Sequence, residues 1–292
     1  MEQQIDNILS RISDRMNTLS KGQRRIAQFI LEQYDKAAYI TAAKLGAAVG
    51  VSESTVVRFA SELGYDGYPG MQKELRAMIC TKLTATQRIG VASDRMGEND
   101  ILQSVLDADM DNIRISLSEI ERDEFACITD AIVDAKRVYV LGVRSSASLA
   151  SFLSFYLNLI SPNVRHVETS TVSEVFEQIF RIEAGDVLIA ISFPRYSTRT
   201  LKAINYAKSR GATVIAITDS KGSPIAQVAD MSLTAKSDMV SFADSLVAPL
   251  SVINALIVAI SMKKKTEVVE SLESLEKIWD EYKVYEKFDQ ER

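Results

Sequence analysis

The chain has 292 residues and a formal net charge of −5, with 34 Lys+Arg against 39 Asp+Glu. This length allows two domains, and 47% hydrophobic with 25% charged residues excludes extended disorder and a fibrous fold. Two cysteines, Cys80 and Cys127, are too few for a disulfide framework, and the single histidine, His166, argues against His-based metal sites and His-driven catalysis.

The hydrophobic pattern of residues 1–80 predicts a domain made only of helices. Apolar residues at three-and-four spacing mark an amphipathic helix over 5–19, which is unlike a signal peptide. Ser20 and Gln23 match a capping box for the next helix. Thr41 and Ser52 are suited to be N-caps of helices ending near 49 and 63. Glycines and a proline over 64–70 break the pattern, and a last helix is predicted over 71–79.

Residues 42–63 have the spacing of a helix-turn-helix. Gly46 lies where two crossing helices approach closely, and Gly50 lies at the turn, where a left-handed backbone suits glycine. The second helix then presents small, polar and cationic side chains, as base and phosphate contacts require: Ser52, Glu53, Ser54, Thr55 and Arg58. The pattern also fits a three-helix packing unit that never touches DNA.

The charge of residues 1–80, the head, allows DNA binding without demanding it, and the basic residues of the head favour DNA over simple packing. Residues 1–80 have a net charge of +1 and residues 81–292 a net charge of −6. Further basic residues of the head that could contact DNA are Lys21, Arg24, Arg25, Lys44 and Lys73. Each of them could equally be a solvated charge, and Glu53 would repel phosphate.

The sequence pattern of residues 81–292 predicts a linker followed by an α/β domain. Residues 81–99 are polar and aperiodic, so we interpret them as a linker between domains of residues 1–80 and 100–292. After two helices, one of which holds Cys127 as a small core residue, short β-rich runs alternate with helices: 137–141, 164–167, 186–191, 213–217 and 231–234. Such alternation predicts a doubly wound, five-stranded parallel sheet flanked by helices.

An apolar run and a charged helix close the chain. The run over 239–262 contains Asp244 and Pro249, so we interpret it as a buried helix rather than a membrane span, or as one with a face at a subunit interface. A charged helix is predicted over 267–287. We therefore expect a cytoplasmic protein with no membrane contact.

Two loops that follow strands are rich in hydroxyl groups. Ligands of open α/β sheets bind beyond the carboxyl ends of strands, at helix N-termini, where free amides favour phosphate. The candidate ligand residues are Ser145 and Ser146 in the first loop and Ser192, Arg195, Ser197 and Thr198 in the second. Each hydroxyl is also explained as an N-cap, and Arg144 and Arg195 could pair with a phosphate or with a neighbouring Glu.

These segments resemble the RpiR/MurR family of bacterial transcriptional regulators. In residues 1–80, the resemblance rests on LSKGQRRIAQFIL and GVSESTVVRFASELGYDGY. In residues 100–292, it rests on VYVLGVRSSASLA, DVLIAISFPRYSTRTLKAI and GATVIAITDS. The family joins an N-terminal helix-turn-helix domain to a C-terminal SIS (sugar isomerase) domain. The resemblance therefore implies an all-α helix-turn-helix head, an α/β SIS domain, and a dimer or tetramer formed through the SIS domain.

The resemblance also implies roles for particular residues. Ser52–Thr55 and Arg58 would face the DNA major groove, and Ser145 or Ser146 with the 192–198 loop would hold a phosphosugar. The usual SIS loop reads Ser-x-Ser-Gly-x-Thr, whereas here Pro194 replaces a hydroxyl residue and Arg195 a glycine. Arg144 also replaces a residue that is often glycine. We expect anion binding to persist with altered geometry.

Three functions fit these observations. The first is a DNA-binding regulator of carbohydrate metabolism, whose SIS domain senses a phosphorylated sugar or a related anion. The second is a sugar-phosphate isomerase, which needs a base; His166 lies in a strand, and Asp219 and Asp244 are the possible alternatives. The third is a phosphosugar sensor that regulates a protein partner. The first is preferred, with no catalytic residue, metal or cofactor expected.

Overall fold

The computed structural model describes residues 8–82, 89, 100–168, 172–238 and 243–285. It divides into two compact units, Met1–Asn99 and Asp100–Arg292. Most of the predicted linker over 81–99 lies outside the described residues, so the domain limits at 80 and 100 stay a prediction.

The described part of the first unit is helical, as the hydrophobic pattern predicts. Its helices are α1 (Ile8–Arg15), α2 (Lys21–Glu32), α3 (Tyr34–Ala37), α4 (Ala42–Val49), α5 (Glu53–Glu62) and α6 (Gly67–Lys82). A single apolar core joins them, in which Ile12, Ile30, Leu45, Phe59 and Leu75 are fully buried.

The predicted caps of these helices are largely confirmed. Ser20 and Gln23 form the capping box of α2, and the Thr41 hydroxyl accepts a hydrogen bond from the Lys44 amide. Ser52 occupies the N-cap position of α5 but makes no capping hydrogen bond. The Ser52 hydroxyl therefore remains on the outer surface instead of closing the helix end.

The last helix of the unit is longer than predicted. We predicted a break over 64–70 and a helix over 71–79, but α6 begins at Gly67 and runs to Lys82. Pro69 lies in the first turn of α6, where backbone N–H groups have no intrahelical partner and a proline is tolerated. The proline therefore marks the start of the helix rather than an interruption.

The second unit contains a five-stranded parallel sheet with helices on both faces, which confirms the predicted fold. Its strands are β1 (Val138–Gly142), β2 (Val164–Val167), β3 (Val187–Ile191), β4 (Thr213–Thr218) and β5 (Met231–Thr234), in the order β2-β1-β3-β4-β5. Its helices are α7 (Ile101–Glu119), α8 (Arg122–Val133), α9 (Ser145–Ile160), α10 (Val172–Ile179), α11 (Thr198–Ser209), α12 (Val247–Lys263) and α13 (Lys265–Glu281).

Alternate residues of the central strands supply two apolar cores. In β1, Val138 and Val140 pack on one face with α8, α9 and α12, while Tyr139 and Leu141 pack on the other with α10 and α11. β1, β3 and the last five residues of β4 are buried along their length. Burial on both faces explains why these strands are continuous apolar runs in the sequence.

An ion pair between a partly exposed arginine and a buried carboxylate fixes the amino-terminal edge of the sheet. Arg137 precedes β1, and its Nε and Nη2 donate to the Asp186 carboxylate at 2.9 and 2.7 Å. Asp186 is fully buried and also accepts the Glu183 amide at 2.9 Å. This pair raises the pKa of Arg137 and clamps the starts of β1 and β3 together.

The closing helices agree only partly with the sequence prediction. The predicted buried run over 239–262 corresponds to α12, which begins at Val247 and has Val252, Ile253 and Leu256 in the core; residues 239–242 lie outside the described residues. The charged helix predicted over 267–287 corresponds to α13, Lys265–Glu281, and residues 286 and 287 lie outside the described residues. No single helix among the described residues is long and apolar enough to cross a bilayer; only α12 and α13 taken together meet that measure, and they are bent by 99° where they join. Cys127 was predicted to be a core residue, but it is exposed because Ile128 and Ile132 form the buried side of α8.

Candidate functional site

The predicted helix-turn-helix is formed by α4 and α5. A Cβ at Gly46 would lie 2.8 Å from the Val51 carbonyl oxygen, so the two helices approach too closely for any side chain there. Gly50 has the left-handed backbone that the turn requires, with φ of 67°. Nη2 of Arg25 donates to the Gly50 carbonyl oxygen at 3.0 Å and thereby ties α2 to the turn.

The predicted DNA-contacting residues share one exposed surface at the start of α5. Ser52, Glu53, Ser54 and Arg58 are exposed, and Thr55 is half-buried. The Ser52 hydroxyl lies 2.9 Å from that of Ser54 and 2.8 Å from that of Thr55. Hydroxyl groups held in this way can donate to phosphates, and they can donate to or accept from base edges.

Exposed cations lie on α5 and on α2. Nε of Arg58 donates to the Ser54 carbonyl oxygen at 3.3 Å, which holds the guanidinium along the outer face of α5. Lys21 is exposed in the first turn of α2, and Arg25 is exposed beside the turn. Since Arg25 already binds Gly50, we expect it to brace the turn as well as to supply charge.

The two hydroxyl-rich loops of the second unit lie at the same edge of the sheet. Gly142, the last residue of β1, pairs with Ile191, the last residue of β3. The chain leaves β1 toward β2 on one side and β3 toward β4 on the other. This is the topological switch point of an open α/β sheet, where the carboxyl ends of strands form a ligand crevice.

The first loop brings a helix end close to the strand. A Cβ at Gly142 would lie 2.3 Å from the Ser146 carbonyl oxygen, so only glycine permits the approach of α9. Arg144 is the N-cap of α9 and has φ of 58°, a conformation that L side chains rarely adopt. Ser145 is exposed, and its hydroxyl donates to Oδ2 of Asp244 at 3.5 Å, whereas Ser146 is buried.

The second loop is held by its own hydroxyl groups. The buried Ser192 hydroxyl accepts the Ser197 amide at 3.3 Å, and the Ser197 hydroxyl caps α11 by accepting the Arg199 amide at 3.2 Å. Arg195 is exposed and also has a positive φ, 67°. Thr198 is exposed at the first position of α11.

Thr200 is a further candidate residue, which the local sequence pattern does not single out. It lies in the first turn of α11 and is fully buried, and its Oγ1 has no hydrogen-bond partner among the described residues. A buried hydroxyl beside a proposed anion site is notable because such groups are normally paired. Its position two residues after Thr198 is the only signal that the sequence offers.

A buried carboxylate supports the second loop from the next strand. Asp219 follows β4, and its Oδ1 accepts the Tyr196 hydroxyl at 2.7 Å and the Thr218 hydroxyl at 3.1 Å. Burial raises the pKa of Asp219, against the opposing effect of these hydrogen bonds. Nζ of Lys236 binds the Asp219 carbonyl oxygen at 3.1 Å and Glu119 of α7 at 2.7 Å. This chain of contacts joins the second loop to α7.

A cavity of about 760 Å³ opens between α9 and β2, beside the first loop. Its polar lining includes Arg144, Ser148, Ser151, His166 and Glu168. His166 is half-buried, and its Nδ1 lies 3.4 Å from Oε1 of Glu168. The sequence places His166 in a strand rather than in either hydroxyl-rich loop, but pairing of β1 with β2 brings it to the cavity.

Within the described residues, no three His, Cys, Asp or Glu side chains come together in a way that could hold a metal ion.

Comparison with known proteins assigns both units. The helix-turn-helix domain of the rpiR family matches residues 6–82, and the SIS domain matches residues 131–259. The HTH-type transcriptional regulator HexR of Escherichia coli is 26% identical over 278 residues, covering 91% of this chain and 92% of HexR. HexR of Pseudomonas aeruginosa is 24% identical over 268 residues, covering 88% of this chain and 90% of that protein.

Solved structures agree with this assignment. The sugar isomerase domain of an RpiR transcription factor from Sphaerobacter thermophilus is 27% identical, with a TM-score of 0.57, and covers 61% of this chain and 98% of that one. Vibrio vulnificus NanR complexed with ManNAc-6P shares the fold, at 22% identity and a TM-score of 0.58, over 94% of this chain and 99% of NanR. The chain is thus a helix-turn-helix transcriptional regulator with a SIS domain. It belongs to the RpiR family, as its motifs predicted.

Proposed function

We propose that this regulator binds operator DNA through α4 and α5, and that a phosphorylated sugar or related anion bound by the SIS domain controls that binding. One observation carries the effector assignment: two hydroxyl-rich loops, each with an arginine, follow the paired strands β1 and β3 at the switch point. NanR, which shares the fold, was solved with a phosphosugar. An anion at this edge would meet free amides and the positive ends of α9 and α11.

The residues that we assign to the effector act in two ways. Ser192 and Ser197 accept amide hydrogen bonds within the loop and keep their hydroxyl hydrogens to donate to an anion. Arg195 supplies charge from the same loop. Ser145, Ser146 and Thr198 complete the proposed set at the first two positions of α9 and the first of α11.

The residues that we assign to DNA are those of the exposed α5 surface with the cations beside it. We propose that Ser52, Ser54, Thr55 and Arg58 enter the major groove, because the N-terminal part of a recognition helix reads base edges. Lys21 and Arg25 are proposed to contact phosphates. Glu53 is proposed to lie against a base, since a carboxylate accepts from cytosine but repels phosphate.

We further propose that the SIS domain forms a homodimer or homotetramer, as a two-fold operator requires. The support is an exposed apolar surface on α7, where Leu102, Leu106, Met110 and Leu117 are 51–67% exposed. A groove of about 540 Å³ adjoins it between α7, α8 and α12. Contiguous apolar surface of this kind marks an interaction site.

Isomerisation is the second candidate function, and the cavity favours it more than the sequence did. The pair of His166 and Glu168 lies at the cavity wall and could move a proton beside a carbonyl group. We nevertheless propose sensing without turnover, because the relatives that match most of the chain are named transcriptional regulators. Conversion of any hexose or pentose phosphate that is lost in His166→Ala would establish the enzyme instead.

Calorimetric titration of the full chain with a panel of phosphorylated sugars tests the effector site. We expect Ser192→Ala and Arg195→Gly to weaken binding at least tenfold, because each removes a donor to the anion. The matched controls are Ser209→Ala and Arg181→Ala, which lie at the opposite edge of the sheet. Equal binding by all four variants would contradict the site, and no binding of any phosphosugar to wild type would contradict the effector class.

A further inference from the structure

α7 is held to the second unit by polar side chains rather than by an apolar inner face. The structure describes all 19 of its residues, and the two that are buried, Asn112 and Ser116, are both polar. Large apolar side chains of α7 are exposed instead, as Leu106 and Met110 are at 51% each. Because a polar contact stabilises a packed helix less than a buried apolar stripe does, α7 can be displaced at a small cost in free energy.

The partners of α7 lie between the end of β5 and the start of α12. Nδ2 of Asn112 donates to the Asp238 carbonyl oxygen at 2.9 Å. One turn earlier on α7, Oδ1 of the half-buried Asp109 accepts the Ser245 hydroxyl at 2.5 Å. This second bond, which we call the tether, is short because its acceptor is charged, and such bonds are stronger than neutral ones.

Asp244, the residue before Ser245, connects the tether to the first hydroxyl-rich loop. Its Oδ2 accepts the Ser145 hydroxyl at 3.5 Å, which is a long and therefore weak hydrogen bond. The Ser145 hydroxyl has one hydrogen, so it cannot donate to Asp244 and to a bound anion at the same time. An anion at this loop also repels the half-buried Asp244 carboxylate, since like charges at close range disfavour each other.

We propose that an anion bound at the first loop displaces Asp244, breaks the tether between Ser245 and Asp109, and so releases α7. The released helix is the one that follows residues 81–99, the predicted linker from the DNA-binding unit, in the sequence. The inference rests on the proposed effector site and adds the step by which binding there reaches the linker. Asp109 and Ser245 are positioning residues, which act on DNA binding through α7.

Asp109→Ala and Ser245→Ala remove the two ends of the tether and test it without any ligand. Fluorescence anisotropy measures the Kd of each full-length variant for DNA that wild type selects from a random pool. We expect each variant to change this Kd at least fivefold, and the double variant to change it no further, because both substitutions remove the same bond. The matched controls are Asp107→Ala and Ser118→Ala, whose side chains have hydrogen bonds to other residues of α7.

Calorimetric titration with ManNAc-6P, glucose 6-phosphate and fructose 6-phosphate separates a tether from a residue that only supports the fold. We expect both tether variants to bind the phosphosugar that wild type binds at least threefold more tightly than wild type does, because binding no longer has to break the tether. Loss of a residue that only supports the fold would weaken binding. Asp109→Asn, which keeps an acceptor and loses the charge, should fall between wild type and Asp109→Ala.

The two measurements distinguish failure of this inference from failure of the proposed function. Unchanged DNA affinity in both tether variants, or weaker phosphosugar binding by them, would overturn the release of α7 and leave phosphosugar sensing intact. If no phosphosugar binds wild type, the proposed effector class fails, and the DNA affinities of the variants decide whether the tether controls DNA binding. If wild type selects no DNA, the proposed DNA binding fails, and the phosphosugar affinities decide whether binding breaks the tether.

Discussion

Asp219 shows how a single residue can matter without contacting a ligand. Its carboxylate accepts the Tyr196 hydroxyl and so positions the loop that carries Arg195. A buried carboxylate is retained at an electrostatic cost, because desolvation disfavours its charged form and raises its pKa. The loop therefore owes its geometry to a residue that destabilises the fold when it is ionised.

This cost predicts a dependence of stability on pH. Because the pKa of Asp219 is raised in the folded chain, its contribution is most favourable below its unfolded pKa, about 3.9, and is lost as pH rises through its folded pKa. We expect the Tm of Asp219→Asn minus the Tm of wild type to increase as pH rises from about 4 to about 7.

Thermal unfolding at a series of pH values measures this difference. Asp134→Asn, at an exposed carboxylate after α8, is the control. If the difference in Tm from wild type depends on pH in the same way for both variants, ionisation of Asp219 does not destabilise the fold as its burial implies.

At the same scale, some site residues could be predicted from the sequence and others could not. Ser192 and Ser197 were identified because they follow a β-rich run, and a parallel sheet places such residues at one edge. The positions of His166 and Asp219 depend on which strands are neighbours, and local pattern does not reveal strand order. Thr200 was missed because an unpaired buried hydroxyl is visible only once the side chains are packed.

The elements of the sheet depend on an ion pair at the edge opposite the site. Removal of Arg137 leaves Asp186 fully buried without its guanidinium partner. We expect Arg137→Ala to lower the free energy of unfolding by about 3–5 kcal/mol, the usual cost of an uncompensated buried charge. Urea denaturation measures this loss.

A double variant separates charge from packing at this site. Arg137→Met with Asp186→Leu removes both charges and should recover most of the stability, since apolar replacements for a buried pair are often neutral. A loss below about 1 kcal/mol for Arg137→Ala alone would show that the pair is solvated rather than buried.

Most elements could be predicted from hydrophobic period and caps. The predicted β2 and β5 coincide with the observed strands, and β3 begins at Val187, one residue later than predicted. The sequence places the start of α6 four residues too late, because a proline in the first turn of a helix has the same local pattern as a proline in a loop. The exposed side chains of a helix were harder to predict, because Cys127 and most apolar side chains of α7 are exposed.

At the scale of the whole molecule, the exposed surface of α7 predicts self-association. We expect wild type to have the molar mass of at least two chains, and Leu106→Asp with Met110→Asp to have that of one, because buried charges oppose association. Light scattering after size exclusion measures the mass. Val57→Asp, at an exposed apolar position of the first unit, is the control, and an unchanged mass in the double variant would move the interface elsewhere.

Regulation requires that two separate sites bias one equilibrium. An effector that changes operator affinity by 5- to 150-fold corresponds to a coupling free energy of about 1–3 kcal/mol. The contacts from Tyr196 through Asp219 and Lys236 to Glu119 join the second loop to α7, the first described helix of the second unit. We expect Lys236→Met to reduce this coupling more than it reduces effector affinity.

The most direct measurement is the affinity of the protein for operator DNA with and without effector. The DNA is selected by the protein from a random pool, and the effector is the phosphosugar or sugar acid phosphate that binds most tightly. By fluorescence anisotropy at fixed salt concentration, we predict a change of at least fivefold in the Kd for DNA. The change should vanish in Arg195→Gly, and Arg58→Ala should lose specific DNA binding altogether. An unchanged Kd in wild type saturated with a ligand that binds the 192–198 loop would contradict the account.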